Sequence, residues 1–204
     1  MKRHGRFAVG ITSLACMTLA DAGPLLAQEA PLTAELPVLL TSCGQSPGPG
    51  RVRFFLTRLD LEHEFLEQAT AQDLIDGTEA GTPFGAVIIV VGASLKGMGA
   101  AGVSIQDELE RTAALIEETR RRELTLICAH VEGMARRAQG AAPGDNSDEL
   151  SIDAVCPASD LMIVRQDGNE DRRFSIISES QGIPLILFEK NMELGDVLNS
   201  VFAR

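Results

Sequence analysis

The sequence lacks several residues and motifs on which common functional sites depend. It contains no tryptophan and no tyrosine, so only phenylalanine could supply an aromatic cage or a stacking surface. None of its four cysteines shows CxxC spacing or a Cys/His ligand pattern, so no structural zinc site is expected. The GxSxG nucleophile elbow and the closing Gly-Lys-Ser/Thr of a P-loop are also absent. These absences argue against a zinc protein, a hydrolase with that elbow and a P-loop nucleotide-binding protein.

The first 27 residues have the pattern of a secretory signal peptide. A basic segment at residues 1–6 precedes an uncharged apolar segment at residues 7–20, which is shorter than a usual membrane span. Small residues follow and place the cleavage site after Ala27, with Ala22 as the alternative. An uncleaved anchor helix is the other interpretation of this segment. We therefore expect a periplasmic or secreted protein with no stable membrane insertion after cleavage.

The chain that remains after cleavage is strongly acidic and has three cysteines. Lys plus Arg falls from 18 to 15 and Asp plus Glu from 29 to 28, so the net charge changes from −11 to −13. This charge disfavours binding to nucleic acid and to anionic membrane surfaces, but a small anion can still bind where basic residues gather. In an oxidising compartment, at least one thiol among Cys43, Cys128 and Cys156 stays unpaired.

Apolar runs alternate with helical patterns from residue 37 onward, which is typical of a parallel sheet with helices on both faces. The run at residues 86–91 is apolar at every position, as in a central strand buried on both sides. Right-handed crossovers predict the strand order 2-1-3-4-5, with the last strand added at the edge. We predict one three-layer α/β domain, flavodoxin-like or Rossmann-like, at residues 37–204, after a linker at residues 28–36.

In this strand order the chain reverses direction between the first strand and the strand at residues 86–91. Ligands of open α/β sheets bind at such a switch point, outside the carboxyl ends of the strands. The facing loops are residues 42–50 and 92–102, with residues 130–137 beside them and residues 166–171 farther along. The sequence therefore predicts where a ligand binds without indicating which ligand it is.

The loop after the central strand allows two interpretations. Its glycines, Ser94 and Lys96 are suited to a nest of backbone amides that holds a phosphate or carboxylate. Alternatively, the loop is flexible and needs glycine only to turn. Gly97, Gly99 and Gly102 match the letters GxGxxG, but they come too late after the strand for dinucleotide binding. We therefore expect no cofactor.

The candidate ligand-binding residues occupy the loops on either side of the predicted crevice. They are Ser42, Cys43, Gly44, Gln45, Ser46, Gly92, Ala93, Ser94, Lys96, Gly97, His130, Arg136 and Arg137. Arginines of this set can clamp a carboxylate through two parallel hydrogen bonds.

Catalysis has three candidate residues: Cys43, His130 and Glu132. A neighbouring imidazole lowers the pKa of a thiol, and a His/Glu pair can serve as acid and base. No second histidine lies near, so no metal site is expected. The acidic loop that ends at Asp171 is interpreted as a turn with a helix cap, and not as a cation site.

Four motifs resemble those of the DUF6305 family of uncharacterised exported bacterial proteins. They are LLTSCGQSPG at residues 39–48, IIVVGASLKGMGAAG at 88–102, AHVEGMARR at 129–137 and DGNED at 167–171. The resemblance covers nearly all of residues 37–202, apart from a Gly/Pro/Asp-rich insertion at 138–147. It implies one α/β domain outside the cytoplasm and brings no reaction with it.

Three functional hypotheses remain open at this point. The first is a soluble exported protein that binds a small anion, a carboxylate or a phosphate, at the carboxyl edge of its sheet. The second is an enzyme of hydrolase or transferase type that uses Cys43 and His130. The third is a non-catalytic accessory protein with a partner in an envelope complex.

Overall fold

The computed structural model describes Met1 and residues 33–140 and 143–202. The predicted signal peptide beyond Met1 and the first part of the predicted linker lie outside the described residues. The strands are β1 (Val38–Cys43), β2 (His63–Phe65), β3 (Ala86–Val91), β4 (Thr125–His130), β5 (Leu161–Arg165) and β6 (Leu185–Phe188). The helices are α1 (Gly48–Arg58), α2 (Ala71–Glu79), α3 (Leu95–Ala101), α4 (Ile105–Arg121), α5 (Ser147–Val155), α6 (Arg173–Gln181) and α7 (Glu193–Val201).

The six strands form one sheet in the order β2-β1-β3-β4-β5-β6, and all neighbouring pairs are parallel. All residues of β1 and β3 are buried, as expected for strands covered on both faces. Helices α1 and α7 cover one face of the sheet, and α2, α4, α5 and α6 cover the other. The predicted three-layer α/β architecture and the predicted strand order are confirmed.

Helix α4 begins where the sequence predicts it. The Ser104 hydroxyl accepts a hydrogen bond from the Asp107 amide at 3.2 Å, and the Asp107 carboxylate accepts one from the Ser104 amide at 2.7 Å. This reciprocal capping satisfies two amides that the first turn would otherwise leave unpaired. Arg120 and Arg121 lie in the last turn, where the helix dipole favours positive charge.

The glycine-rich stretch after β3 differs from the prediction, because Leu95–Ala101 forms helix α3 where the sequence indicated a loop. The Ser94 hydroxyl caps this helix by accepting a hydrogen bond from the Gly97 amide at 3.1 Å. Gly102 ends the helix in the left-handed conformation, with φ of 71°. Two glycines within seven residues lower the helix propensity, so the sequence pattern did not indicate a helix.

The folded domain starts slightly before the predicted boundary. Ala34 joins the core, and its amide donates to the carbonyl of Val201 at 2.9 Å.

A disulfide bond joins Cys128 on β4 to Cys156 at the end of α5, whereas Cys43 is a free, buried thiol. In the described part of the chain, every helix is too short or too polar to cross a membrane.

Candidate functional site

A crevice of about 680 Å³ lies at the carboxyl edge of the sheet, between the segments that follow β1, β2 and β3. Its position agrees with the switch point between β1 and β3, where the strand order places a ligand. The lining residues are Ser42, Gln45, Ser46, Pro47, Pro49, Gly50, Phe65, Glu67, Gln68, Ser94, Lys96, Gly97, Ala100, Ala101 and Arg136.

A buried ion pair on α4 holds the segment that follows β1. The Glu108 carboxylate accepts hydrogen bonds from the Gly44 amide at 2.9 Å and from the Gln45 side chain at 3.0 Å. Arg111 pairs with Glu108 at 2.9 Å and donates to the carbonyl of Ser42 at 2.5 Å. Glu108 is 1% exposed, so its charge depends on these donors for solvation. The ion pair therefore fixes one wall of the crevice.

The backbone of Glu67 is attached to the same wall. Its carbonyl oxygen lies within hydrogen-bonding distance of three side-chain donors: Thr41 Oγ1 at 3.2 Å, Gln45 Nε2 at 3.1 Å and Ser42 Oγ at 3.4 Å. These contacts hold the segment after β2 against the end of β1. The exposed side chain of Glu67 consequently stands at the β2 side of the crevice.

The backbone amides after β3 are used by the protein itself. Gly92 donates to Ser151 Oγ at 2.9 Å, Ala93 to Asp148 Oδ1 at 2.6 Å, Ser94 to the carbonyl of Gly44 at 2.7 Å, and Gly97 to Ser94 Oγ at 3.1 Å. Burial raises the pKa of Asp148, and its hydrogen bond from Ala93 opposes that shift. These four amides are not free to receive an anion, so the predicted amide nest is corrected to a set of internal bonds.

Gly97 is required by a close backbone contact. A Cβ atom at this position would lie 2.1 Å from the carbonyl oxygen of Gln45, whereas a Cβ at Gly99 would meet no atom within 4 Å. The backbones of the two loops also pair directly through an antiparallel bridge between Gln45 and Ala93. The first glycine of the GxGxxG string therefore has a steric function, because it allows the two loops to approach each other.

Two cationic side chains line the crevice at the sides of β3 and β4. Lys96 is exposed on the first turn of α3, and the side chain of Arg136 is 28% exposed. The Arg136 guanidinium donates to the carbonyl of Ala93 at 3.1 Å and lies 3.4 Å from the Glu132 carboxylate. The second oxygen of Glu132 accepts from the Gly48 amide at 3.1 Å. Glu132 thus orients Arg136 and the start of α1, a structural role that the sequence did not predict.

The structure does not bring Cys43 and His130 together. Cys43 Sγ lies 3.6 Å from the Thr112 hydroxyl, and the ring nitrogens of His130 lie 3.3 Å from the carbonyl of Val91 and 3.0 Å from that of Gly133. Because β3 separates β1 from β4, the two backbones are about 10 Å apart.

The environments of these two residues also oppose catalysis. Burial raises the pKa of the Cys43 thiol to about 11, which disfavours the thiolate at neutral pH. Burial also favours the neutral form of His130, whose pKa it lowers. The ring of His130 packs against that of Phe174, with 5.0 Å between the ring centres. Neither residue lines the crevice. Their prediction as a catalytic pair is therefore corrected to two core residues.

Arg137, a predicted ligand-binding residue, is the centre of a separate charged cluster and is 1% exposed. Its guanidinium lies 2.8 Å from the Glu149 carboxylate and 2.7 Å from that of Asp171, and it also donates to the carbonyl of Gly168. Burial alone would lower the pKa of Arg137, but the hydrogen bonds to these two carboxylates outweigh it and raise the pKa. The positive charge of Arg137 is neutralised within the fold and is not available to a ligand.

Asp171 also contacts the start of the next helix, in line with the predicted cap. Its carboxylate accepts a hydrogen bond from the Arg173 amide at 3.1 Å, while the Asn169 side chain accepts one from the Phe174 amide at 2.9 Å. In residues 33–140 and 143–202, no three His, Cys, Asp or Glu side chains form a group that could hold a metal ion.

Sequence reasoning missed three residues that shape the crevice: Glu67, Glu108 and Arg111. Glu108 and Arg111 are spaced like any solvent-exposed ion pair on a helix, so their burial could not be predicted from this spacing. Glu67 lies in a short polar segment after an edge strand, and nothing in the sequence placed it opposite Lys96.

A model of the family described as "Domain of unknown function (DUF6305)" matches residues 35–202. Comparison with curated proteins gives no match. Similar solved structures include the psychrotrophic esterase EstA from Pseudoalteromonas sp., with TM-score 0.38 and 12% identity over 80% of this chain and 94% of that chain. They also include a GDSL-like lipase from Bacteroides thetaiotaomicron, with TM-score 0.36 and 15% identity over 80% and 83%. At these values the likeness concerns the fold alone.

Proposed function

We propose that this chain, which belongs to the DUF6305 family, binds a small molecule with a carboxylate or phosphate group in its crevice. The description of the family assigns no activity, so the proposal is based on the crevice. The observation that carries this proposal is the presence of Lys96 and Arg136 in one crevice of a chain with a net charge of −11. The net negative charge of the chain disfavours anions in general, and two cations that line one crevice offset it there.

Both cations have donors left for a ligand. Within the described residues, Lys96 takes part in no ion pair, and its ammonium can donate three hydrogen bonds. Arg136 uses its Nε and Nη1 atoms for Glu132 and Ala93, which leaves Nη2 available. The internal contacts hold the Arg136 side chain in place, so little conformational entropy is lost when it binds an anion.

The crevice also has the size and polarity of a small-molecule site. Its volume of about 680 Å³ lies within the range of roughly 300–1,000 Å³ that is usual for such sites. Ser46 and Ser94 line the crevice, and their hydroxyl groups can donate hydrogen bonds to an oxyanion. In this proposal, the side chains that line the crevice determine ligand specificity, and the backbone amides of the predicted nest do not.

We place this binding outside the cytoplasm. The basic and apolar N-terminal pattern supports export, and the disulfide between Cys128 and Cys156 is a bond typical of oxidising compartments.

Thermal unfolding in the presence of acetate, succinate, citrate, inorganic phosphate and nucleotides tests the proposal. A ligand at 100 times its Kd is expected to stabilise the protein by about 2.7 kcal/mol. Lys96→Ala should weaken every hit by about tenfold, since one charge-assisted hydrogen bond is lost. Lys190→Ala removes an exposed lysine before α7 and is the matched control, which should retain full binding. Hits that survive Lys96→Ala and Arg136→Ala unchanged would overturn the proposal.

A further inference from the structure

Charged groups are segregated along the crevice by the strand order. Glu67 follows β2 at one side, and Lys96 and Arg136 follow β3 and β4 at the other, with the β1 segment between them. Neighbouring strands lie about 4.8 Å apart, so the backbones after β2 and β3 are separated by about 10 Å. The crevice therefore presents a carboxylate and two cations from opposite walls.

The backbone of Glu67 is held in place, while its carboxylate has no partner among the residues that the structure describes. The backbone carbonyl of Glu67 is held by the side chains of Thr41, Ser42 and Gln45. Among residues 33–140 and 143–202, the carboxylate itself makes no hydrogen bond or ion pair with a side chain. Glu67 lines the crevice, so its unpaired carboxylate can accept a hydrogen bond from a ligand donor there.

We propose that the ligand carries an ammonium group beside its anionic group, so that its chemical class is that of the amino acids and related amino-carboxylates. The ligand carboxylate binds Lys96 and Arg136, and the ligand ammonium binds Glu67. An anion without an amine meets the negative charge of Glu67 in the same crevice, and that repulsion weakens its binding. This inference rests on the proposed function, because it assumes that the two cations receive the anionic group.

The apolar part of the lining is suited to the rest of such a molecule. Phe65, Pro47 and Pro49 line the crevice on the side of β2 and α1, and Ala100 and Ala101 line it on α3. These residues offer contact area for an apolar side chain and no hydrogen-bonding side chain. The crevice thus combines a carboxylate site, an ammonium site and an apolar wall.

Binding of matched ligand pairs tests the inference. Titration calorimetry would compare each of the protein amino acids, β-alanine and 4-aminobutyrate with the same carboxylic acid without its amine. The amino form is expected to bind about tenfold or more tightly, which is the strength of one charge-assisted hydrogen bond. In Glu67→Gln that preference should fall below about threefold, since the amide keeps the shape but loses the charge. Glu64→Gln removes an exposed carboxylate of β2 outside the crevice and should keep the preference.

The outcomes separate this inference from the function on which it rests. If the deaminated acids bind as tightly as the amino acids and Lys96→Ala abolishes both, the anion site stands and the ammonium site is refuted. If Glu67→Gln leaves the preference for the amine unchanged, Glu67 is not the ammonium site. If no carboxylate in either set binds, the amino-carboxylate inference is refuted, and the phosphates of the thermal-unfolding screen still test the anion site. If Lys96→Ala and Arg136→Ala weaken no hit, the proposed function itself fails.

Discussion

Two polar regions lie at the carboxyl edge of the same sheet and use their charges in different ways. Around Arg137, one guanidinium is surrounded by Glu149, Asp171 and a carbonyl group, and it is 1% exposed. In the crevice, Lys96 and Glu67 are exposed, and Arg136 is 28% exposed and lies 3.4 Å from its single carboxylate partner among the described residues, Glu132. Both regions contain arginines that follow β4, one residue apart in the sequence. The difference shows that two adjacent arginines of one loop can differ completely in how far carboxylates of the fold neutralise their charge.

Removal of the central charge of the Arg137 cluster has the largest expected effect. Arg137→Ala removes the guanidinium that bridges Glu149 and Asp171, and we expect the free energy of unfolding to fall by about 3–5 kcal/mol. Urea unfolding measures this loss. Arg172→Ala is the control, because its pair with Glu179 is exposed and is worth at most about 1 kcal/mol. Equal losses in both variants would contradict the assignment of Arg137 as a structural residue.

The disulfide stabilises α5, the element that both regions share, since α5 presents Glu149 to Arg137 and Asp148 to the Ala93 amide. It closes a loop with a sequence separation of 28 residues. Replacement of Cys128 and Cys156 by alanine is expected to lower the free energy of unfolding by about 3–4 kcal/mol, mainly because the unfolded chain gains conformational entropy without the crosslink. Urea unfolding with and without a reductant measures it. Reductant should destabilise the wild type and leave the double variant unchanged; a similar response of the two proteins would exclude the bond.

The pH dependence of stability provides the smallest expected effect. The hydrogen bonds from Arg137 hold the pKa of Asp171 below its ordinary value of 3.8, so its contribution is present above about pH 4 and is lost as the pH falls through the folded pKa. Asp171→Asn should therefore lose about 1 kcal/mol at pH 7, since the pair is partly exposed. Thermal unfolding at pH 7 and at a series of acidic pH values should show this difference shrinking as the pH falls below about 4. A difference that stays constant with pH would refute the ion pair.

Much of the architecture could be predicted because it depends on local patterns. The fully apolar run of β3 and the Ser104 cap identify a central strand and the helix that follows it. The right-handedness of crossover connections then predicts the strand order. The place of the crevice followed from that order. Helix α3 was missed because its two glycines lower its helix propensity, and the need for one of them, Gly97, comes from the close approach of Gln45, which is distant in the sequence.

The composition of the site could be predicted only in part. Lys96 and Arg136 were identified by their charge, but the amides beside them are occupied by Asp148 and Ser151, which are more than fifty residues away in the sequence. Arg137 looked equivalent to Arg136 for the same reason, since the carboxylates that neutralise it come from distant segments. Whether a polar group is already bonded depends on such long-range contacts, and a single sequence does not record them.

Gly97 and Gly99 lie on the same short helix beside the crevice, but only one of them can accept a side chain. A Cβ atom at position 97 would collide with the Gln45 carbonyl, while position 99 faces open space. The native thiols in the described part of the chain are either buried, as in Cys43, or joined in the disulfide. A cysteine introduced at position 99 would therefore be the one accessible thiol of this part. A fluorescent dye attached there would stand at the rim of the crevice and report on its occupancy.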